Sequence, residues 1–227
     1  MTIDDVIIRV DDPVKPLDCA ALYDPARTLE VEVGCGKGRF LNLRAAQFPQ
    51  REFLGVERMK SRVESFARKA VRGNLANAHV CRIEALYAFH YLLPAHHAEK
   101  VYVFFPDPWP KRKHHSHRLF GEAFLSALHR VLREGGKLEF ATDHEEYFHV
   151  VEECFANDAR YRRTEPMPRP PEVWTEFETL FRGKGMEVFS AAWEAIGQSP
   201  DTLPPLQVMP DDEPREGIER RDKAMED

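Results

Sequence analysis

A predicted strand, three closely spaced glycines and the start of a helix constrain the fold of this chain more than any other stretch. The segment reads Leu29-Glu-Val-Glu-Val-Gly-Cys-Gly-Lys-Gly38. Gly34, Gly36 and Gly38 permit a tight turn in which a ligand lies against bare backbone. Because the spacing is GxGxG and residue 39 is arginine, the GxGxxG turn that binds a dinucleotide pyrophosphate is incomplete. The loop alone indicates either a cofactor site or a plain strand-to-helix turn.

Carboxylates close three successive predicted strands. Glu32 lies at the end of the first strand, Glu57 ends the second and Glu84 follows the third. A carboxylate beside the glycine loop repels a phosphate and suits the cationic amino group of S-adenosylmethionine. Glu57 is placed to accept hydrogen bonds from both ribose hydroxyls, and Glu84 offers an acceptor near an adenine. Because strand carboxyl ends form the ligand crevice of an open α/β sheet, the three acids favour a cofactor site.

Short apolar runs alternate with longer helical patterns from Thr28 onward, which predicts an α/β fold on a mostly parallel sheet. The predicted strands are Leu29–Val33, Glu52–Glu57, His79–Ile83, Lys100–Phe105, Gly136–Ala141 and Met186–Trp193. Helices are predicted from near Arg39 and over Val63–Ala70, Ser116–Arg133 and Glu145–Phe155. Residues 25–197 form the predicted domain, after a loosely held acidic arm over 1–24. An acidic, proline-containing tail over 198–227 is predicted to be mostly disordered.

The net charge of −6 is unusual for a nucleic-acid-binding protein, but the acidity lies at the ends. Residues 1–24 and 209–227 each carry −4, which leaves +2 over 25–208. A local basic patch matters more for phosphate binding than the total charge. Four cysteines without CxxC spacing indicate reduced thiols. With no signal-peptide pattern and no run near the roughly 18 apolar residues of a membrane span, these features predict a cytoplasmic protein without a membrane segment.

A rigid turn, Pro106-Asp-Pro-Trp-Pro110, follows the predicted strand that ends at Phe105. Prolines on both sides fix the backbone, so Asp107 is held at the ligand edge of the sheet. Trp109 offers a flat apolar face to a base. The alternative is a proline-rich turn that caps a strand, with Trp109 in the core.

A basic run comes next, with Lys111, Lys113 and Arg118 among its cations. Its position before a helix favours phosphate contacts on the rim of the crevice, with a solvated helix start as the alternative. Its histidines have no partner cysteine or suitably spaced carboxylate, so no metal site is expected. Further along, Asp143 closes another predicted strand, and Thr175 and Glu178 have the spacing of a helix capping box.

These motifs occur in the order GxGxG, Gly55-Val-Glu57, Pro106-Asp-Pro-Trp-Pro-Lys111, Thr142-Asp143 and Thr175-Glu-Phe-Glu178. In that order the chain closely resembles the bacterial tRNA (guanine-N7-)-methyltransferases over residues 28–194. The turn followed by lysine and a His/Arg-rich run is specific to that family, whereas the glycine loop is common to class I methyltransferases.

The resemblance implies a seven-stranded, Rossmann-like class I fold with helices on both faces. It implies that the chain uses S-adenosylmethionine to form N7-methylguanosine in tRNA, at position 46 of the variable loop. No protein partner is evident from the sequence, which leaves a monomer or a homodimer open. The implied cofactor-binding residues are Glu32, Gly34, Gly36, Gly38, Glu57, Glu84 and the catalytic Asp107. The implied substrate-binding residues are Lys111, Asp143, Thr175, Glu176, Phe177 and Glu178. The implied RNA-binding residues are Lys113, His114, His115, Ser116, His117 and Arg118.

Two positions depart from the pattern of that family. Glu84 stands where the family often has aspartate or asparagine, and Glu176 stands where it usually has lysine. The first departure affects the adenine contact, and the second replaces a basic contact to RNA.

Guanine N7 is an unprotonated lone pair, so its methylation needs positioning and charge stabilisation more than a general base. Asp107 and Asp143 are the candidates for stabilising the ring charge and for accepting hydrogen bonds from N1–H and the 2-amino group. The alternatives are a class I methyltransferase acting on another RNA, a protein or a small molecule, an NAD-dependent dehydrogenase, and an RNA-binding module without catalysis. A nucleophilic role for Cys35 is the remaining alternative for the glycine loop.

Overall fold

The computed structural model describes residues 1–18, 24, 26–110 and 118–206. The strands are β1 Ile7–Ile8, β2 Leu29–Val33, β3 Glu52–Glu57, β4 Ala78–Arg82, β5 Ala98–Phe104, β6 Leu132–Thr142, β7 Tyr161–Thr164 and β8 Phe189–Ala195. The α-helices are α1 Ile3–Val6, α2 Arg39–Gln47, α3 Lys60–Arg72, α4 Ala85–Tyr87, α5 Glu122–Val131, α6 Glu145–Ala156 and α7 Glu176–Gly183. A π-helical turn, Ala88–Leu92, continues α4, and a 3₁₀ turn, Pro171–Val173, precedes α7.

The eight strands of the described residues form one sheet, in the order β1-β4-β3-β2-β5-β6-β8-β7. β2 pairs in parallel with β3 on one side and with β5 on the other. The chain first adds β3 and β4 on one side of β2 and then returns to add β5 on the other side, so the strand order reverses between β2 and β5. In open α/β sheets, ligands bind outside the carboxyl ends of the strands at such a point. The predicted parallel α/β sheet is confirmed, with β8 and β7 antiparallel at one edge.

Helices cover both faces of the sheet, and its central strands are therefore buried on both sides. In β5, Val101 and Val103 pack into the core beneath α5 and α6. Tyr102 and Phe104 point to the opposite core, which includes Phe66 of α3. Successive residues of a strand therefore point to opposite faces of the sheet and pack into different cores.

The strand count is eight where seven were expected. β2 to β8 correspond to the seven, and β1 adds a two-residue edge strand beside β4. The description of residues 1–24 as a loosely held arm is wrong for this part, because Val6 and Ile8 are buried. A two-residue strand is too short to show an alternating pattern, and the acidic residues around it hide its apolar core contacts.

The helix predicted over Ser116–Arg133 is shorter in the structure. Gly121 is extended at the N-cap, so α5 begins at Glu122. It ends at Val131, since Leu132 is already extended and pairs with Ala98 of β5. The last strand begins at Phe189, three residues after the predicted start at Met186.

The first part of the predicted acidic tail packs on the domain. His129 of α5 hydrogen-bonds Ser199 and the backbone oxygen of Ile196, and Arg130 donates to the backbone oxygen of Asp201. Leu203 packs against the core. The prediction of disorder is therefore wrong for residues 198–206, and its remainder, 207–227, lies outside the described residues.

Candidate active site

The glycine loop turns sharply between β2 and α2. Gly34, Gly36 and Gly38 have φ values of +67°, +54° and +74°, a region that side chains rarely adopt. A Cβ on Gly38 would collide with the ring of Phe66 and lie 2.7 Å from Nδ2 of Asn42. Gly34, in contrast, has open space where its Cβ would lie. Gly38 thus serves close packing, and Gly34 keeps the backbone accessible at the end of β2.

Two glutamates of β2, Glu30 and Glu32, point to the same face and are both buried. Glu30 has three partners: Nε of Arg44 at 2.9 Å, Nη1 of Arg51 at 2.6 Å and the hydroxyl of Tyr102 at 2.6 Å. Although burial opposes ionisation, the hydrogen bonds from Arg44 and Tyr102 hold the pKa of Glu30 below its ordinary value. This carboxylate is fully compensated inside the protein.

Glu32 is 3% exposed, and its Oε2 has no hydrogen-bond partner among the described residues. Burial and the neighbouring charge of Glu57 raise the pKa of Glu32 well above its ordinary value, outweighing a backbone hydrogen bond from Leu41. An uncompensated buried carboxylate is destabilising unless a cation or donor meets it. In contrast to Glu30, Glu32 is a candidate for binding a ligand that carries a cation or a hydrogen-bond donor.

Glu57 closes β3 directly beside the glycine loop. Its Oε2 accepts a hydrogen bond from the backbone N–H of Gly36 at 3.1 Å. Its Oε1 accepts from the backbone N–H groups of Arg58 and Met59 at 2.7 and 3.0 Å. A carboxylate has about four acceptor sites, so these bonds fix its orientation and leave capacity for a ligand hydroxyl.

Glu84 caps α4, accepting hydrogen bonds at Oε2 from the backbone N–H groups of Leu86 and Tyr87 at 2.8 and 3.3 Å. It also lines an open groove at the ends of β3 and β4, together with Arg58, Met59, Lys60, Ser61, Glu64, Arg82 and Ile83. The capping role was not predicted from the sequence. The groove adjoins Glu57 through Arg58 at the end of β3.

A second, more enclosed recess lies at the ends of β2 and β5. Its lining includes Glu32, the glycine loop, Phe104 and the segment Thr175–Phe177. Asp107 follows three residues after Phe104, at the same edge of the sheet. Asp143 closes β6, which pairs with β5. The predicted acids are therefore gathered at neighbouring strand ends around the switch point.

The turn that carries Asp107 is held in an unusual backbone conformation. Phe105 and Trp109, on either side of it, have φ values of +55° and +43°. The N–H of Phe105 donates to the backbone oxygen of Ala141 at 2.7 Å, which ties the turn to β6. Non-glycine residues at positive φ persist only where the surroundings enforce them, and they concentrate at functional sites.

Arg118 provides the other anchor of this turn. Its Nε donates to the backbone oxygen of Pro108 at 2.8 Å, and its Nη2 lies 3.2 Å from Oε1 of Glu146. The side chain is 6% exposed, with its guanidinium 5.1 Å from the ring centre of Tyr147. The structure thus places Arg118 inside the fold, in contrast to the exposed phosphate contact expected from the sequence. Lys111 and the other predicted RNA-binding residues, Lys113, His114, His115, Ser116 and His117, lie outside the described residues.

The segment from Trp174 to Phe177 covers the glycine loop. Nε of Arg39 donates to the backbone oxygen of Trp174 at 2.9 Å, and Nζ of Lys69 lies 3.0 Å from Oε1 of Glu176. The guanidinium of Arg62 lies 6.0 Å from the ring centre of Phe177. The glutamate that departs from the family pattern at position 176 therefore forms an ion pair with α3.

A buried ion cluster supports this segment from below. Thr175 caps α7 by accepting from the N–H of Glu178 at 3.0 Å. Glu178 is fully buried between Arg169 and Arg182, at 3.2 and 3.1 Å. The guanidinium of Arg169 also lies 4.3 Å from the ring centre of Phe104. Glu178 does not line the recess, so its observed contacts are those of a support. Sequence reasoning missed Arg169, since a lone arginine in a proline-rich loop carries no pattern.

Cys35 lies between the glycines and is 6% exposed. Burial, with the charges of Glu32 and Glu57, raises the pKa of its thiol well above the ordinary value. A protonated buried thiol is a poor nucleophile, which argues against a nucleophilic role for Cys35.

No group of three or more metal-ligating side chains occurs in the described ranges. No helix in those ranges is long and apolar enough to cross a membrane.

Comparison with known proteins identifies relatives along most of the chain. The family described as "Putative methyltransferase" matches residues 26–191. A tRNA (guanine-N(7)-)-methyltransferase of Halorhodospira halophila is 35% identical, over 76% of this chain and 77% of that protein. One of Chromohalobacter salexigens is 34% identical, over 78% and 73%. One of Thermotoga maritima is 33% identical over 78% of this chain, which spans 57% of that relative's length.

Solved structures share the architecture. The 16S rRNA methyltransferase KamB matches with a TM-score of 0.62 at 18% identity, over 85% of this chain and 98% of that one. The antibiotic-resistance methyltransferase Kmr matches with a TM-score of 0.54 at 22% identity, over 79% and 92%. At these identities the likeness establishes the fold.

The sheet order, the glycine loop and the acids at the strand ends define a class I methyltransferase. The sequence relatives narrow this class further. The chain belongs to the tRNA (guanine-N7-)-methyltransferase family.

Proposed function

We propose that this protein transfers a methyl group from S-adenosylmethionine to N7 of a guanosine in tRNA, at position 46 of the variable loop. The observation that carries the proposal is the unpaired, buried carboxylate oxygen of Glu32 in the recess beside the glycine loop. An anionic ligand there would be repelled by Glu32 and Glu57, whereas a cation with N–H donors compensates the carboxylate best. A ligand with an ammonium group fits, as does the family to which the chain belongs.

The residues present can hold the cofactor at both ends. Glu32 would receive the ammonium group at the methionine end, next to Gly34 and Gly36. Glu57, fixed by three backbone N–H groups, would accept from the ribose hydroxyls. Glu84 would border the adenine in the open groove. Bound S-adenosylmethionine supplies an electrophilic methyl carbon on a sulfonium centre.

Asp107 and Asp143 are assigned to the guanine. Because N7 carries a free lone pair, no base is required to deprotonate it. A carboxylate near the ring stabilises the positive charge that develops there, and a carboxylate on the N1–H and 2-amino edge selects guanine over adenine. The turn anchored by Phe105 and Arg118 holds Asp107 in place for either task.

The remaining assignments belong to the same proposal. Thr175, Glu176 and Phe177 border the guanosine side of the recess, and the run from Lys111 to His117 contacts RNA phosphates. The protein acts in the cytoplasm, on tRNA and without a metal ion, as a monomer or homodimer.

The test is incubation of the protein with radiolabelled S-adenosylmethionine and unmodified tRNA, followed by nucleoside analysis. The proposal predicts label in N7-methylguanosine for a transcript with guanosine at position 46. A matched transcript with adenosine at that position should take up none. Label at another nucleoside would assign a different RNA target, and label only in protein or small molecules would overturn the tRNA assignment.

A further inference from the structure

Helix α3 carries far more positive than negative charge. Its cations are Lys60, Arg62, Arg68, Lys69 and Arg72, and its one acid is Glu64. Lys60, Arg68 and Arg72 are exposed and stand at four-residue intervals with Glu64, so they form one stripe along the helix. The opposite side packs into the core. A stripe of this kind is unusual in a chain whose net charge is −6.

Two further arginines extend the stripe. Arg58 precedes α3 and Arg82 ends β4, and both are exposed. Nε of Arg82 donates to the backbone oxygen of Arg58 at 3.0 Å, and both residues line the groove. We call Arg58, Lys60, Arg68, Arg72 and Arg82 the α3 basic face.

Neighbouring acids do not neutralise the α3 basic face. Glu64 lies 3.9 Å from Nζ of Lys60 and 3.6 Å from Nη1 of Arg68, with all three side chains at least 39% exposed. Such solvent-exposed pairs contribute little and are screened by salt. Glu84 also lines the groove, and Asp4 and Asp5 lie on α1, which packs against α3. Asp4 pairs with Arg9, so the cations of this surface still outnumber its acids.

The cofactor does not account for these cations. The adenosine end of S-adenosylmethionine carries no anionic group, and its carboxylate belongs to the methionine end beside the glycine loop. The cofactor therefore offers no anionic group to Arg58, Lys60 and Arg82, which line the groove together with Glu64 and Glu84. A polyanion that binds outside the cofactor site would match the positive charge of this surface.

The α3 basic face is connected to the recess where the target base enters. Lys69 of α3 pairs with Glu176, and Arg62 of α3 lies over Phe177. The 13 residues of α3 span about 20 Å along the surface beside these two contacts. A nucleic acid with one nucleotide in the recess would pass several phosphates along this length.

We propose that the α3 basic face binds the phosphate backbone of the tRNA outside the nucleotide that is methylated. The inference rests on the proposed function for the identity of the polyanion. It assigns the recess to the target guanosine and the α3 basic face to sequence-independent contacts, which set affinity and orientation.

The test compares two double variants of equal charge. Arg68→Gln with Arg72→Gln removes two cations of the face that do not line the cofactor groove. Arg133→Gln with Arg162→Gln removes two exposed cations elsewhere, paired with Glu99 and Glu194. A third variant, Arg68→Lys with Arg72→Lys, keeps the charge.

Loss of two phosphate contacts should raise the Kd for tRNA about tenfold at 0.1 M salt and reduce the log–log salt slope by about 1 to 2. The affinity for S-adenosylmethionine and kcat at saturating tRNA should stay unchanged. The lysine variant and the Arg133/Arg162 variant should keep the wild-type slope. If the double glutamine variant loses its thermal transition, Arg72→Gln alone should still lower the slope by about 0.7 to 0.9.

Equal slopes for the Arg68/Arg72 and Arg133/Arg162 variants would overturn the inference, even where the wild-type protein forms N7-methylguanosine in tRNA. A face-dependent slope without N7-methylguanosine would instead overturn the proposed function and leave the RNA surface in place.

Discussion

Replacing Glu32 by glutamine should weaken cofactor binding and stabilise the ligand-free protein at the same time. Glutamine keeps the shape of the side chain and removes the charge. In the ligand-free protein the carboxyl group is 3% exposed and its Oε2 has no partner among the described residues, so its ionised form is disfavoured. The negative charge therefore lowers the stability of the folded protein and increases its affinity for a cation.

The two effects have comparable size and opposite sign. A hydrogen bond to a charged partner contributes about 1.5 to 3 kcal/mol, so its loss should raise the cofactor Kd roughly 10- to 150-fold. Removing the buried charge while an amide stays in its place should relieve about 1 to 2 kcal/mol, because a neutral polar group costs less to bury than an ionised one. For a chain of this size, that relief should raise the Tm of the ligand-free protein by roughly 2 to 4 °C per kcal/mol.

The pH dependence follows from the direction of the pKa shift. Burial and the charge of Glu57 raise the pKa of Glu32 in the folded state. Between the unfolded and folded pKa the folded chain holds the extra proton, so its stability falls as the pH rises through that interval. A cationic ligand pairs with the ionised form, so its affinity should rise over the same interval and then level off. Glu32→Gln should remove both trends.

Glu30→Gln is the matched control, because Glu30 lies on the same strand and face but has three partners. Breaking this buried cluster should cost about 3 to 5 kcal/mol of stability and leave the cofactor Kd nearly unchanged once the protein is folded. Calorimetric titration with S-adenosylmethionine and thermal unfolding at several pH values give both quantities. If Glu32→Gln lowers Tm as Glu30→Gln does and binds cofactor as tightly as the wild type, the reasoning is refuted.

Three further predictions concern the turn and the glycine loop. Asp107→Asn should lower kcat by about 10²- to 10³-fold with little change in tRNA affinity, and turnover near the wild-type value would contradict its role. Arg118→Gln should lower kcat because Pro108 loses its anchor, with the salt slope of tRNA binding unchanged; a slope reduced by about 0.9 would make Arg118 a phosphate contact instead. Gly38→Ala should destabilise the fold by about 2 kcal/mol or more, measured by urea unfolding, since its Cβ meets Phe66 at a positive φ.

The sequence predicted the central sheet well because its strands carry strong local signals. β2 and β3 have the predicted bounds, and the acids Glu32 and Glu57 lie at their ends as expected. β7 was missed because an antiparallel edge strand with the sequence Tyr-Arg-Arg-Thr has little apolar pattern. Its identity depends on pairing with β8, which no local window reveals.

The candidate site was predicted in its residue types but not in its contacts. Arg118 was grouped with the basic run, since a charge run does not distinguish a buried guanidinium from exposed ones. Its position two residues before the buried Phe120 is the signal that could have separated it. The sequence also does not reveal that Glu30 is paired while Glu32 has an unpaired oxygen, because both residues lie on the same face of one strand. The partners that distinguish Glu30 are Arg44, Arg51 and Tyr102, which come from other parts of the fold.

The walls of the recess come from opposite parts of the chain. The bond between Arg39 and Trp174 joins residues 135 positions apart. During synthesis the glycine loop emerges early, but a small molecule cannot be enclosed until the segment through Phe177 has also left the ribosome. Ligand retention therefore requires that the segment through Phe177 has joined the glycine loop. In the mature enzyme, an enclosed ligand should slow amide exchange in α7 together with that of the distant glycine loop.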